Sequence, residues 1–174
     1  MAKLNRVAQF MHPPESRAKS RLKMTEESHI ENFQATAIGS GWPTRVSISG
    51  SDWVFQVDEP EEDGGSNSGP NPMHHLVASL ASCQNEQAQV VAEEMGIEAK
   101  QIEIRLEVGL NLAGFMGVTD HSEGCFQSVR IHASVAGLSA NQVKALGKQV
   151  DARCPILSLM RSSGAVVESK WSTT

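Results

Sequence analysis

Apolar and polar residues alternate in three short bursts in the first third of the chain. In ENFQATAIG, Phe33, Ala35 and Ala37 share one side; TRVSISG alternates through Val46 and Ile48; DWVFQVD brings Trp53, Phe55 and Val57 together. A period of two predicts half-buried strands. Turn residues at positions 39–41 and 49–51 separate the bursts, which therefore read as a meander. The period then lengthens. From Pro72 to about Met95 the chain reads as one long helix: Asn71 is suited to its cap, Pro72 to its first turn, and Gly96 to its stop. Leu76, Leu80, Cys83, Gln87 and Val90 fall along one stripe, and Ala78, Ser79, Ala81 and Ser82 permit close packing around it. That pattern predicts a helix at the centre of the protein.

Alternation returns in QIEIRLEVGLNL, with Ile102, Ile104, Leu106, Val108 and Leu110 on one face. It continues in CFQSVRIHASV, with Cys125, Gln127, Val129, Ile131, Ala133 and Val135 alternating. The two predict a long β-hairpin. SANQVKALGKQVDAR predicts a second helix capped by Ser139, with Val143, Leu146 and Val150 inward; CPILSLMRSSG is a short helix or turn and AVVESKW a last strand. The order βββαββααβ is an α+β arrangement with mainly antiparallel strands. Residues 1–30 form a polar arm, with Arg17, Lys19, Arg21 and Lys23 as a short basic patch on a solvated or partner-clasping extension. Residues 31–174 form the domain. The acidic, Gly-rich EPEEDGGSNSGPNP lacks the ending of a phosphate loop and reads as a connector into the helix.

Charge and composition narrow the function classes. A net charge of −5 over 174 residues gives the whole molecule no electrostatic footprint for nucleic acid or an anionic membrane. Apolar runs fall well short of the roughly 18 residues a membrane span needs, and no signal-peptide pattern is present. Three cysteines without a CxxC pair speak against both a disulfide framework and a zinc site. The expected setting is cytoplasmic.

The candidate chemistry is thiol chemistry. Cys83 lies in an apolar helical segment; Cys154 lies in DARCPILSLM, where Arg153 puts a positive charge next in sequence and Pro155 disfavours helical backbone at the cysteine itself. Cys125 alternates with inward residues and reads as a core cysteine, and Asp120 and His121 as a polar loop tip.

With GPNPMHHLVASLASC around the first cysteine and RCP at the second, about seventy residues downstream, the chain resembles the OsmC/Ohr family of thiol peroxidases from about Glu31 to Trp171. The resemblance implies an OsmC-like fold and an intertwined homodimer. It implies thiol-dependent reduction of organic hydroperoxides, with Cys83 as the attacking cysteine and Cys154 resolving it to a disulfide. Neither metal nor organic cofactor is implied, while an external dithiol must act as reductant. A family arginine falls nearest to Arg45. The family glutamate after the turn proline is absent; Met73, His74 and His75 stand there, and His75 is the nearer candidate, rotated about 80° from the Cys83 direction on a regular helix. Leu76, Leu80, Trp42 and Phe115 are expected walls for an apolar peroxide. The alternative is a non-enzymatic relative that binds a small apolar ligand or senses oxidants, which the missing glutamate favours and the retained cysteine pair opposes.

Overall fold

The computed structural model describes residues 30–118 and 126–174. Two three-stranded sheets and a helical layer make up an α+β fold. The first sheet is the expected meander: β1 (Ala35–Ile38), β2 (Thr44–Ile48) and β3 (Val54–Val57), paired antiparallel in chain order. Its register sets Ala37, Val46 and Phe55 side by side, and Ile38, Arg45 and Gln56 on the opposite face. Phe55 and Val57 turn inward, whereas Trp53 lies just before β3 and is exposed. This sheet makes only marginal contact with the rest of the chain, and Phe33 (84 % exposed), Ile38 (71 %) and Trp53 (67 %) stand in solvent.

The connector into the first helix is built around Asp58. Its carboxylate, fully buried, accepts the N–H and hydroxyl of both Ser66 and Ser68, at 2.7–3.1 Å, and the N–H of Glu59. These bonds, the Ser66 hydroxyl foremost, hold the acid well below the usual carboxylate range. A 3-10 turn at Glu61–Asp63, absent from the expected order, tightens the same loop. Helix α1 (Pro72–Glu94) then starts where the cap chemistry requires: Asn71 Oδ1 accepts the His74 N–H at 2.9 Å, and Pro72 occupies the first turn. It stops at Gly96, whose φ of 64° is the left-handed conformation that glycine adopts without strain.

The buried face of α1 is not the expected stripe. Leu80, Gln84, Ala88, Val91 and Ala92 point into the core, while Cys83, Gln87 and Val90 lie at its half-buried edge. Packing against a sheet on one side and helices on the other turned the helix so that a glutamine faces the interior, a choice that hydrophobic periodicity cannot register.

The second sheet has order β4 (Gln101–Leu110), β5 (Phe126–Ala136), β6 (Val166–Thr173). β4 and β5 form the expected antiparallel hairpin, joined through the short helix α2 (Leu112–Phe115), which was not anticipated. Near the hairpin's end the register shifts between Gly109 and Leu110, so Leu110 pairs with Phe126. This bulge puts Phe126 against the core and leaves Gln127 exposed, correcting the expected inward Gln127. Cys125, Asp120 and His121 fall outside the described residues, as do residues 1–29 of the arm and the side chain of Phe115. β6 pairs parallel with β5, a direction made possible by the helical crossover of α3 (Ala140–Arg153) and α4 (Pro155–Ser162).

α1, α3 and α4 cover one face of this sheet. One apolar cluster joins Leu80, Val129, Ile131, Cys154, Leu157 and Met160; a second joins Ala88, Val91, Val135, Val143, Leu146 and Val150. α3 approaches β6 closely because Gly147 has no side chain: an added Cβ would lie inside the indole of Trp171. Gly147→Ala should therefore destabilise the fold by about 1–3 kcal/mol, the usual cost of overpacking a rigid core. Urea unfolding checks this, and an unchanged midpoint would contradict it.

Candidate functional site

Cys154 is held by the break between two helices. Its N–H closes the last turn of α3 on the Val150 carbonyl at 3.0 Å, and its own carbonyl accepts the Ser158 N–H of α4 at 3.0 Å. Pro155 cannot donate and excludes helical backbone before it, so Cys154 is extended, with φ −69° and ψ 112°. In that conformation the sulfur caps α4, accepting the Leu157 N–H at 3.4 Å. The residue is 1 % exposed.

α1 packs on both α3 and α4, and its half-buried edge brings Cys83 to this junction. The two sulfurs lie 2.8 Å apart, both as free thiols. The Cys83 thiol is pushed up to about 12, chiefly by burial and then by the Cys154 thiol against it; the Ile156 N–H opposes the shift weakly, and the Glu86 carboxylate adds to it. No cation acts on this sulfur among the described residues. Below that range Cys83 is a thiol in the isolated chain, protonated and poorly nucleophilic.

The other expected site residues are distributed differently. Arg153, next to Cys154 in sequence, turns its guanidinium away to Glu94 at the end of α1 and to Gln149. Sequence adjacency to the sulfur therefore does not translate into a charge on it, because residues one apart on a helix face different directions. Arg45 is exposed on the face of the first sheet opposite Phe55. His75 is half-buried in the first turn of α1, its ring tilted on Phe55 at 4.8 Å between centroids, and its Nε2 has no hydrogen-bond partner among the described residues. Leu76, the next residue, is half-buried, and Leu80 is fully buried in the same apolar cluster as Cys154. Trp42 is half-exposed in the loop before β2. What the sequence reading missed is Gln84, whose amide lies fully buried next to Cys83 in the chain. It opens the polar run QNEQ, so the sequence pattern marked it as a solvent-facing residue.

A family model described as OsmC-like protein matches residues 65–170, the segment that contains both cysteines. The chain belongs to the OsmC-like family. Solved structures agree in fold. This OsmC-like chain superposes on an organic hydroperoxide resistance protein OsmC from Legionella pneumophila with a TM-score of 0.63, at 24 % identity over 84 % of this chain and 99 % of that one. An organic hydroperoxide resistance protein from Elizabethkingia anophelis gives 0.64 at 21 % identity over 85 % and 99 %. An OsmC-like protein from Mycoplasma pneumoniae gives 0.68 at 14 % identity over 83 % and 99 %. No curated protein sequence matches the chain. Among the described residues no helix is long and apolar enough to cross a membrane, and no group of three or more His, Cys, Asp or Glu side chains could hold a metal ion.

Sulfurs at 2.8 Å need less than 1 Å of further approach to reach the roughly 2.05 Å of a disulfide. A mild dithiol oxidant such as diamide should therefore link Cys83 to Cys154 within one chain, seen as the loss of two hydrogens in the intact mass and as one linked peptide pair. A link dominated by Cys125 would show that the contact does not govern the oxidation.

Proposed function

We propose that this chain reduces organic hydroperoxides through the Cys83 and Cys154 thiols. The observation that carries the reading is the contact of a half-buried thiol with a fully buried one in an OsmC-like fold. Cys83, the more accessible, attacks the peroxide O–O bond as thiolate, takes one oxygen as a sulfenic acid and releases the alcohol. Cys154 then attacks the Cys83 sulfur, a disulfide forms and water leaves. An external dithiol returns both thiols, so no metal or organic cofactor has to carry electrons. Relatives in the comparison are named for organic hydroperoxide resistance, which agrees with this chemistry. A pair that must be returned to two thiols after each turnover suits a reducing, cytoplasmic setting.

The step that the isolated chain does not provide for is ionisation of Cys83. A second copy supplies what is missing in this reading. The first sheet leaves large apolar side chains in solvent and carries Arg45 on its outward face, which suits an intertwined homodimer. Arg45 of the second copy would then stabilise the Cys83 thiolate and His75, with its unpartnered Nε2, would hold it in place. Leu76 and Leu80, which pack in the apolar cluster that holds Cys154, would line the side taken by the apolar part of the peroxide. One observation favours the second reading, a thiol sensor or apolar-ligand binder without turnover: no cation acts on a thiol pushed up to about 12.

Adding cumene hydroperoxide to the reduced protein and following thiol loss separates the two. The peroxidase reading expects two thiols lost per peroxide, turnover with an added dithiol, and a Cys83→Ser variant without reaction. Stoichiometric oxidation with no turnover under any dithiol would leave the sensor.

The pH dependence of the reaction reports on the charge at Cys83. Where chains are separate, the rate should rise about tenfold per pH unit through the neutral and mildly alkaline range, because a thiol pushed up to about 12 gains thiolate all the way. Raising the protein concentration until chains pair should move that rise to lower pH, and Arg45→Ala should abolish the shift. A profile independent of both concentration and Arg45 would remove the arginine from the site.

A further inference from the structure

The two helices that meet at the cysteines also hold buried polar atoms with no partner among the described residues. These are Nε2 of His75, both amide atoms of Gln84, and Oδ1 of Asp151. Buried side-chain polar atoms are nearly always paired, since leaving one unpaired costs about 1–3 kcal/mol. Gln84 carries no basic group, and His75 sits eight residues, about two turns, before Cys83 on α1, which leaves the Asp151 carboxylate as the base nearest in sequence to Cys154. It lies three residues before Cys154 on α3, a spacing that places side chains as neighbours, about 60° apart around the helix. Gly147, one turn earlier on the same side, rests against Trp171 of β6, so this side of α3 faces the sheet. α4 folds back over the same turn, where Arg161 Nη1 donates to the Asp151 carbonyl at 2.8 Å. Asp151 therefore stands in the last turn of α3, where α4 folds back and β6 lies alongside, three residues before Cys154.

Cys154 is 1 % exposed, so bulk water is not at hand to take its proton when it attacks. We propose that Asp151 is the proton acceptor for Cys154 in disulfide closure. The inference rests on the redox-pair reading above. In that step the Cys154 sulfur forms the S–S bond, the S–O bond of the Cys83 sulfenic acid breaks, and hydroxide leaves. The Cys154 sulfur is oxidised by one unit and the Cys83 sulfur reduced by one. The Cys154 proton passes to the Asp151 carboxylate and on to the departing hydroxide, which leaves as water, and the carboxylate is restored. With no donor of the described chain within hydrogen-bond reach of Oδ1, the transfer runs through one bridging water. Arg153 does not compete for the carboxylate, because it is held by Glu94 and Gln149.

The test uses the reduced full chain and its Asp151→Asn and Asp151→Glu variants. Asn keeps the size of the side chain and loses the base; Glu keeps the base and changes the size. Rapid mixing with cumene hydroperoxide, quenched with dimedone, reads the Cys83 sulfenic acid, and intact mass reads the disulfide. Expected for Asp151→Asn is an unchanged first step, closure slowed about 100-fold, and sulfenic acid that accumulates, while Asp151→Glu closes within about tenfold of the parent. Parental closure in Asp151→Asn overturns the proposal. Equal slowing in both variants also overturns it, since shape and not the proton would then matter. Circular dichroism checks the fold; should the Asn chain not fold, the Glu chain decides alone, near-parental closure supporting the proposal and about 100-fold slowing overturning it. A parallel arm with diamide, in which Cys154 displaces a hydrazine from the Cys83 sulfur and must lose the same proton, keeps the two readings apart. If hydroperoxide leaves Cys83 untouched in the parent, the peroxidase reading falls, and the same comparison of variants under diamide still decides the role of Asp151.

Discussion

Pro155 removes one backbone donor and excludes helical geometry at the residue before it, and the arrangement of the thiols follows from that single constraint. α3 must end at Cys154 and α4 must begin there, so the cysteine serves as the last link of one helix and the first cap of the next. Its backbone is bonded in both directions and its sulfur accepts a third bond from Leu157. The sulfur has little freedom left. α1, packed across both helices, needs only to present Cys83 at its edge for the two to meet.

A contact of this kind favours the thiol over the thiolate. Burial disfavours charge, and a second thiol in contact compounds it, so the isolated chain holds Cys83 protonated. The isolated chain also has an unfinished surface. Its first sheet is tied to the helical layer mainly through the Asp58 loop and the Phe55–His75 contact, and its large apolar side chains face solvent. The missing positive charge and the missing cover would both come from one source in the proposed homodimer, because the outward face of that sheet carries Arg45. The tightly bonded Asp58 loop matters in this picture as the rigid strut that decides where the sheet stands relative to α1.

Two features of the interior add nothing evident to stability. Among the described residues, Gln84 places an unpaired amide at the middle of the buried face of α1, and Asp151 an unpaired carboxylate oxygen one turn from Cys154. A purely structural core would fill both positions with apolar side chains at lower cost. A resolving cysteine shut away from water has a use for at least the second.

Local rules were enough for most elements. The cap at Asn71, the stop at Gly96, the capping box from Ser139 to Gln142 and the break at Pro155 each rest on a neighbour's backbone or side chain, so residue identity decides them. The inward faces of β4 and most of β5 were equally legible, since a period of two survives in any sheet. Other features depended on what lies across space. The bulge that exchanges Gln127 for Phe126 is a property of two paired strands, and neither strand alone shows it. The rotation of α1 that buries Gln84 was decided by the layers on either side. Arg153, charged and adjacent to the sulfur in sequence, was drawn off by Glu94 from another helix, and Arg45 was set facing outward by its register with Ile38 and Gln56. Sequence by itself therefore determined most of the elements, the thiol pair as the candidate chemistry and the extended backbone at Cys154, because those follow from covalent geometry and near neighbours. The tertiary structure decided which sulfur is shielded, which charges reach it and which buried polar groups stand unpaired, because burial and Coulomb interactions act through distances that the order of residues does not contain.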